Sequence, residues 1–242
     1  MIALFTDFGL GGPYTGQVQA VLHQAAPELP VISLFADLPP GQVKPAAYLL
    51  AAYATWFPVG TVLLCVVDPG VGSDRQALIV EADGRFYVGP DNGLFEIVLR
   101  RAARAEVWRI TWRPAAMSAS FHGRDLFAPI AARLATGEAP AAIAAQAHTL
   151  RYSEWPDDLA EIVYVDRYGN AMTGLRGRVV ATSARLSIGG KVLAHADTFS
   201  AVPRGTAFWY ANSNGLVEIA VNQGRADREL GLAIGNIVTT TS

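Results

Sequence analysis

The sequence predicts two domains of different class: an α/β domain, with a mostly parallel sheet and helices on both faces, followed by a small all-β barrel. Three observations carry this. Over residues 1–147, short apolar strands alternate with stretches whose apolar positions recur every three to four residues. Residues 148–159 are polar and hold Pro156, Asp157 and Asp158, which suits a linker. From 160 to 242 the helical period nearly vanishes, and short apolar runs are bounded by glycine turns.

Each element follows from local pattern. Residues 2–6 form a first strand, and 14–26 place Val18, Val21, Leu22 and Ala25 at helical spacing before Pro27 stops the run. Residues 31–35 form a second strand. Residues 43–57 read as a mostly buried helix, closed by Pro58-Val59-Gly60. Strands over 61–67 and 76–82 follow, and Asp83-Gly84 is a hairpin turn into a strand over 85–88. A helix over 94–103, a strand over 106–111 and a helix over 125–134, ending at Gly137, complete the domain. In the second domain, 161–165, 170–175, 184–188, 191–194, 206–211 and 216–221 read as strands. Gly189-Gly190 is a hairpin signal, and 225–230 form a short helix.

Composition narrows the function. The 242 residues are 51% hydrophobic and 17% charged, with a net charge of −2. No basic run exceeds Arg100-Arg101, so bulk nucleic-acid binding is excluded; Arg100, Arg101, Arg104 and Arg109 read as a solvated helix face and its flank. No apolar run reaches the ~20 residues that cross a bilayer. No basic stretch precedes the first strand, so the expectation is a cytoplasmic protein with no membrane partner. Cys65 is the only cysteine, which rules out an internal disulfide and a cysteine metal cluster; it reads as a small buried hydrophobe.

The candidate chemistry lies on loops that follow strands. Asp68 ends an apolar run, Pro69-Gly70-Val71-Gly72 makes a compact loop, and Arg75 precedes the next run. A carboxylate and a guanidinium so placed either polarise a small species at the mouth of a sheet or simply pin the loop as an ion pair. Asp7, in Thr6-Asp7-Phe8-Gly9, either accepts two sugar hydroxyls or caps a turn. Asn92 or Gly93 reads as the cap of the following helix. His122, in Ser120-Phe121-His122-Gly123-Arg124-Asp125, lies in a loop before a helix, where binding residues concentrate. His23, His148 and His195 read as unremarkable helix, linker and turn residues. No His/Asp/Glu set has metal-ligand spacing. In the second domain, Asp166, Tyr168 and Asn170 share a loop between strands, and Asn212-Ser213-Asn214-Gly215 is another. Each reads as a hairpin turn, or together they rim a ligand site.

Taken together, the motifs resemble the adenosine-forming S-adenosylmethionine hydrolases, which are related to the fluorinase and chlorinase. The matching stretches are TDFG at 6–9, DPGVGSDR at 68–75, GPDNG at 89–93, SFHGRD at 120–125, VDRYGN at 165–170 and NSNGLVEIA at 212–220. The resemblance implies that Asp68, Arg75 and His122 order an attacking water or hydroxide. It implies that Asp7 holds the ribose hydroxyls, Asp166 faces the methionine ammonium and Ser213 its carboxylate. Asn170 and Phe199 match positions around the adenine, and Tyr168 an aromatic neighbour of the ligand.

The family is trimeric, with ligand between the first domain of one subunit and the barrel of the next, so a homotrimer is the implied state. No cofactor is implied; S-adenosylmethionine is the substrate. One position departs from the family: an aromatic usually follows the proline where this chain has Gly41. The expected reaction is attack of water or hydroxide at ribose C5′, giving adenosine and L-methionine. The alternatives are an S-adenosylmethionine-dependent halogenase, a non-catalytic S-adenosylmethionine or adenosine binder, and a metal-dependent sugar or phosphate hydrolase. The intact Asp/Arg/His set, and Gly123 where the fluorinase has serine, favour hydrolysis.

Overall fold

The structure, a computed structural model, describes residues 1–138, 142–144 and 152–241. His148 lies outside the described residues. The chain divides into two compact units, Met1–Ser153 and Glu154–Ser242.

The first unit runs through β1 (Ile2–Thr6), α1 (Tyr14–Ala25), β2 (Val31–Phe35), α2 (Val43–Tyr53), β3 (Val62–Val66), β4 (Ala77–Ala82), β5 (Arg85–Pro90), α3 (Glu96–Arg101), β6 (Ala105–Ile110), α4 (Ala128–Ala135) and β7 (Ala142–Ala144). The strands form one sheet in the order β2-β1-β3-β5-β4-β6-β7. β2, β1, β3 and β5 pair in parallel, whereas β4, β6 and β7 pair antiparallel. The sheet is therefore mixed, not mostly parallel. The cause is the Asp83-Gly84 turn: both residues are left-handed (φ 48° and 77°), the twist a two-residue hairpin requires. That turn forces β5 back along β4, and β6 then joins the free edge of β4.

Burial explains the layers. Ile2, Leu4, Val62, Leu64 and Val66 point to one face, where they pack with Val18 and Leu22 of α1 and Ile130 and Ala131 of α4. Ala3, Phe5, Leu63 and Cys65 alternate with them and are equally sealed. α2 packs against α3, with the Arg101 guanidinium 6.0 Å from the Tyr48 ring centre. Cys65 is fully buried, and burial pushes its thiol pKa well above the ordinary range.

Several boundaries differ from expectation, and three of the differences have a local cause. α2 ends at Tyr53 and tightens into a 3-10 turn, Ala54–Trp56. α3 begins at Glu96, and neither Asn92 nor Gly93 caps it. The last helix opens with a π-helical turn, Gly123–Phe127, ahead of α4. Pro129 offers no N–H to the carbonyl four residues back, which leaves that turn free to widen.

The second unit holds β8 (Leu159–Val165), β9 (Ala171–Arg176), β10 (Arg185–Ile188), β11 (Lys191–Leu193), β12 (Ala207–Ala211), β13 (Leu216–Val221), α5 (Ala226–Glu229) and β14 (Thr239–Thr241). The strands lie in two antiparallel sheets, β12-β13-β9-β8 and β11-β10-β14. Single bridges, Glu161 to Ile237 and His195 to Trp209, join strands or flanks of one sheet to the other. Trp209 is the largest sealed side chain of this core, and its indole N–H donates to the Ala184 carbonyl at 3.2 Å. Along β13 the period is two: Val217, Ile219 and Val221 enter this core, and Leu216, Glu218 and Ala220 face the other way. Among the described residues no helix is long and apolar enough to cross a membrane.

Candidate active site

β1, β3 and β5 run parallel, so their C-terminal ends share one edge of the sheet, where open α/β sheets bind ligands. Asp7 follows β1, Asp68 follows β3 by two residues, and Asn92 follows β5. β4 starts at that same edge, with Ala77 paired to Pro90. The reversal that makes the sheet mixed is thus what returns Arg75 to Asp68.

The Arg75–Asp68 pair is bidentate. Arg75 Nε donates to Asp68 Oδ1 at 2.6 Å, and Nη2 donates to Oδ2. The side chains are 9% and 5% exposed, so this is a desolvated pair rather than a surface one. Nη2 also lies 3.1 Å from His122 Nδ1. Arginine has only donors, so Nδ1 accepts and the imidazole carries its proton on Nε2. Burial, then the Arg75 charge, holds the His122 pKa below the ordinary imidazole value, with Asp68 opposing. The guanidinium also sits 5.4 Å from the Phe127 ring centre.

Asp7 shares a cleft of about 240 Å³ with Asp68 and His122, walled by Phe8, Gly41, Phe121 and Gly123 among others. Asp7 Oδ2 accepts the Gly41 N–H at 2.8 Å. Burial raises the Asp7 pKa; the Gly41 N–H and its own backbone N–H oppose the rise, and Asp68 adds to it. Gly41 is left-handed (φ 68°), so a side chain there would strain the backbone that aims this N–H. Gly123 has a steric role: a Cβ would stand 2.8 Å from Phe8 Cζ. Phe8 and Phe121 meet edge to face at 5.7 Å, and Tyr14 meets Phe121 at 5.3 Å. Asn92 is a brace: its Nδ2 donates to the Val67 carbonyl at 2.8 Å, immediately before Asp68, and its Oδ1 accepts the Leu94 N–H at 3.3 Å.

The second unit carries its own cup, about 630 Å³, on the face of its four-stranded sheet opposite the core. Asp166, Tyr168, Asn170, Phe199 and Ser213 all line it. Asp166 closes its own loop: Oδ1 accepts the Asn170 N–H at 2.9 Å and Oδ2 the Asn170 amide at 3.1 Å. Asn170 is buried, whereas Tyr168 is 76% exposed on the rim. Phe199 packs edge to face on Phe208 and Tyr210, at 5.3 and 5.6 Å. The Asn212–Gly215 segment is the hairpin turn its composition announces, and it also presents Ser213 to the cup.

Sequence reasoning missed Tyr210 and Glu218 in the cup and Phe8 and Phe121 around the cleft, and it took Asn92 for a helix cap rather than a brace. Glu218 had a visible signal: it is the only charge in an otherwise apolar strand. The others look like ordinary turn or core residues. Among the described residues no group of three His, Cys, Asp or Glu is placed to hold a metal ion.

A buried Asp/Arg/His constellation at the carboxyl edge of an α/β sheet, with a polar and aromatic cup on a second unit, defines an enzyme-like protein built for a small polar molecule. Residues 2–144 match the model of the SAM hydroxide adenosyltransferase N-terminal domain, and 160–239 that of its C-terminal domain. The chain belongs to this family. It is 40% identical to a protein of Thermus thermophilus named (R)-S-adenosyl-L-methionine hydrolase, over 97% of this chain and 96% of that one. A protein of the same name from Salinispora arenicola is 35% identical, over 100% and 97% of the two chains. Crystal structures of conserved proteins from Thermotoga maritima (TM-score 0.90, 30% identity, all of both chains) and Thermus thermophilus (TM-score 0.79, 37% identity, 99% of both) share the fold.

Proposed function

We propose that this protein hydrolyses S-adenosylmethionine by in-line attack of a water-derived oxygen at ribose C5′, releasing adenosine and L-methionine. The names of its full-length relatives support the activity, and the Asp68–Arg75–His122 constellation supports the chemistry. Those names specify the (R) sulfonium epimer, and we extend that preference to this chain.

The C5′–O bond forms as the C5′–S bond breaks, and the electron pair leaves on sulfur as a neutral thioether. No leaving-group acid is needed, so we propose that no metal or cofactor takes part. The task left to the protein is to place and orient one oxygen, which is worth ~7–11 kcal/mol when geometry is near-attack. Each Asp68 oxygen already takes one Arg75 N–H and keeps lone pairs for the proton of the water. Asp68 is therefore the acceptor. The neutral His122 offers Nε2–H to the same oxygen, and the Arg75 charge favours its hydroxide character. Asp7 holds the ribose hydroxyls, Asp166 the ammonium, Ser213 the carboxylate, Asn170 and Phe199 the adenine, and Tyr168 flanks the ligand. The close approach of Gly123 to Phe8 disfavours the halogenase alternative, because a serine side chain there meets the ring.

We further propose a cytoplasmic homotrimer in which the cleft of one subunit is completed by the cup of the next. The division of labour supports this: sugar and nucleophile groups lie on one unit, and amino-acid and base groups on the other. The single bridges between its two sheets support reading the second unit as one closed barrel.

The test is turnover of each sulfonium epimer in ¹⁸O-water. Label in the adenosine 5′-hydroxyl is expected; unlabelled adenosine, or none, would overturn the reading. For the trimer, mixing Asp68→Ala with Asp166→Ala protein should restore activity in mixed oligomers, and no restoration would sink it.

A further inference from the structure

Glu218 is 3% exposed in the middle of β13, on the cup face. A lone buried carboxylate is expensive unless donors surround it. It has two. Tyr210, its cross-strand neighbour, donates its hydroxyl to Oε1 at 2.5 Å. Asn212 donates its amide to Oε2 at 2.8 Å. The Asn170 side chain also favours the charged form. These three groups come from the end of β12, the turn that presents Ser213, and the Asp166 loop.

The Asn212 amide cannot flip cheaply. Its Oδ1 already accepts the N–H groups of Asn214 and Leu216, at 2.9 and 3.1 Å, so Nδ2 must face Glu218. The Asn170 amide is likewise oriented, because it donates to Asp166 Oδ2 at 3.1 Å. Burial and the nearby Asp166 push the Glu218 carboxyl up, and the three side chains hold it down.

We propose that Glu218 is a positioning residue that ties the two ligand loops and Tyr210 into one preformed cup, so that it sets affinity for S-adenosylmethionine rather than the rate of the chemical step. This rests on the hydrolase reading above. It assigns Glu218 no contact with the reacting atoms. Glu218→Gln keeps the shape, and its carbonyl can serve Asn212. Its amide carries no charge, so the charge-assisted bonds from Tyr210 and Asn212 become neutral ones, each roughly half as strong.

Steady-state kinetics of the full-length protein test this, with Kd for adenosine measured by calorimetry. Relative to wild type, Glu218→Gln is expected to raise KM and Kd by about tenfold, with kcat changing several-fold less. Tyr210→Phe should raise KM by a smaller factor, and the double variant should fall short of the product of the two. A merely structural role would lower Tm and the active fraction while leaving KM and Kd alone. Wild-type KM and Kd in Glu218→Gln and Tyr210→Phe, or a fall in kcat at unchanged KM, would overturn the proposal while the hydrolase reading stands. Absence of turnover in wild type would instead overturn the hydrolase reading. If Glu218→Ala fails to fold, the Gln and Phe variants still decide the matter.

Discussion

Arg75 gives one nitrogen, Nη2, to two partners at once: Asp68 Oδ2 and, 3.1 Å away, His122 Nδ1. This single atom fixes the carboxylate and the imidazole tautomer together. Lysine has one point of charge and no fork. Arg75→Lys should therefore lower kcat by about a hundredfold, in the range of a lost preorganised donor. It should also destabilise the fold by up to about 3–5 kcal/mol, because Asp68 stays buried with an imperfect partner. Full turnover in Arg75→Lys would show that the fork is structural only.

The same contact sets a pH limit. Burial, and then the Arg75 cation that a hydrogen on Nδ1 would face, disfavour the charged form of His122, so its pKa falls below its ordinary value of about 6.5. Activity should hold through pH 6.5 and fall only at lower pH, as His122 gains a proton. Stability follows with a definite sign. Below pH 6.5 the unfolded chain binds a proton that the folded chain refuses, so this group destabilises the fold progressively as the pH drops toward its folded pKa. A kcat/KM profile with an acid limb centred at or above 6.5 would contradict the assigned tautomer.

Asn92 braces the Val67 carbonyl one residue before Asp68. Asn92→Ala removes the donor and should cost about 1–2 kcal/mol. Asn92→Asp is nearly isosteric, yet it turns a carboxylate oxygen toward a carbonyl oxygen. It should lower Tm further than alanine does and reduce kcat by loosening the loop that carries Asp68. Thermal melts and kcat for the two variants check the order; aspartate milder than alanine would refute the bracing role.

Gly123 leaves no room for a side chain beside Phe8, which is held by Phe121 and Tyr14. Gly123→Ser should therefore cost about 1–3 kcal/mol through overpacking and weaken hydrolysis. It should not yield halogenated nucleoside in chloride or fluoride. Chromatography of the products, with Tm alongside, measures both.

The elements were largely readable because period and punctuation agree. Val18 and Leu22 face the core from α1, and the Asp83-Gly84 turn forms as its residues dictate. The sheet's mixed direction was implicit in that very hairpin, but local pattern does not say which strand of a hairpin enters beside β3. β14 had no signature, since Thr239 and Thr240 are exposed and show no apolar alternation. The π-helical turn before α4 follows from one missing N–H, which is invisible to a 3.6-residue period. At the site, Asp68, Arg75 and His122 stood out as polar residues on loops. The roles of Glu218 and Asn92 were not legible, because they lie in which hydroxyls, carbonyls and amides these residues meet across the fold.

The chain's lone thiol, Cys65, is sealed inside a central strand with its ionisation suppressed. Alkylating probes need the thiolate at a surface, so the native protein should stay silent to maleimides while folded. A variant such as Val192→Cys, on an exposed strand, would then carry the molecule's sole addressable handle. Fluorophores or spin labels could be attached site-specifically without first rebuilding the interior.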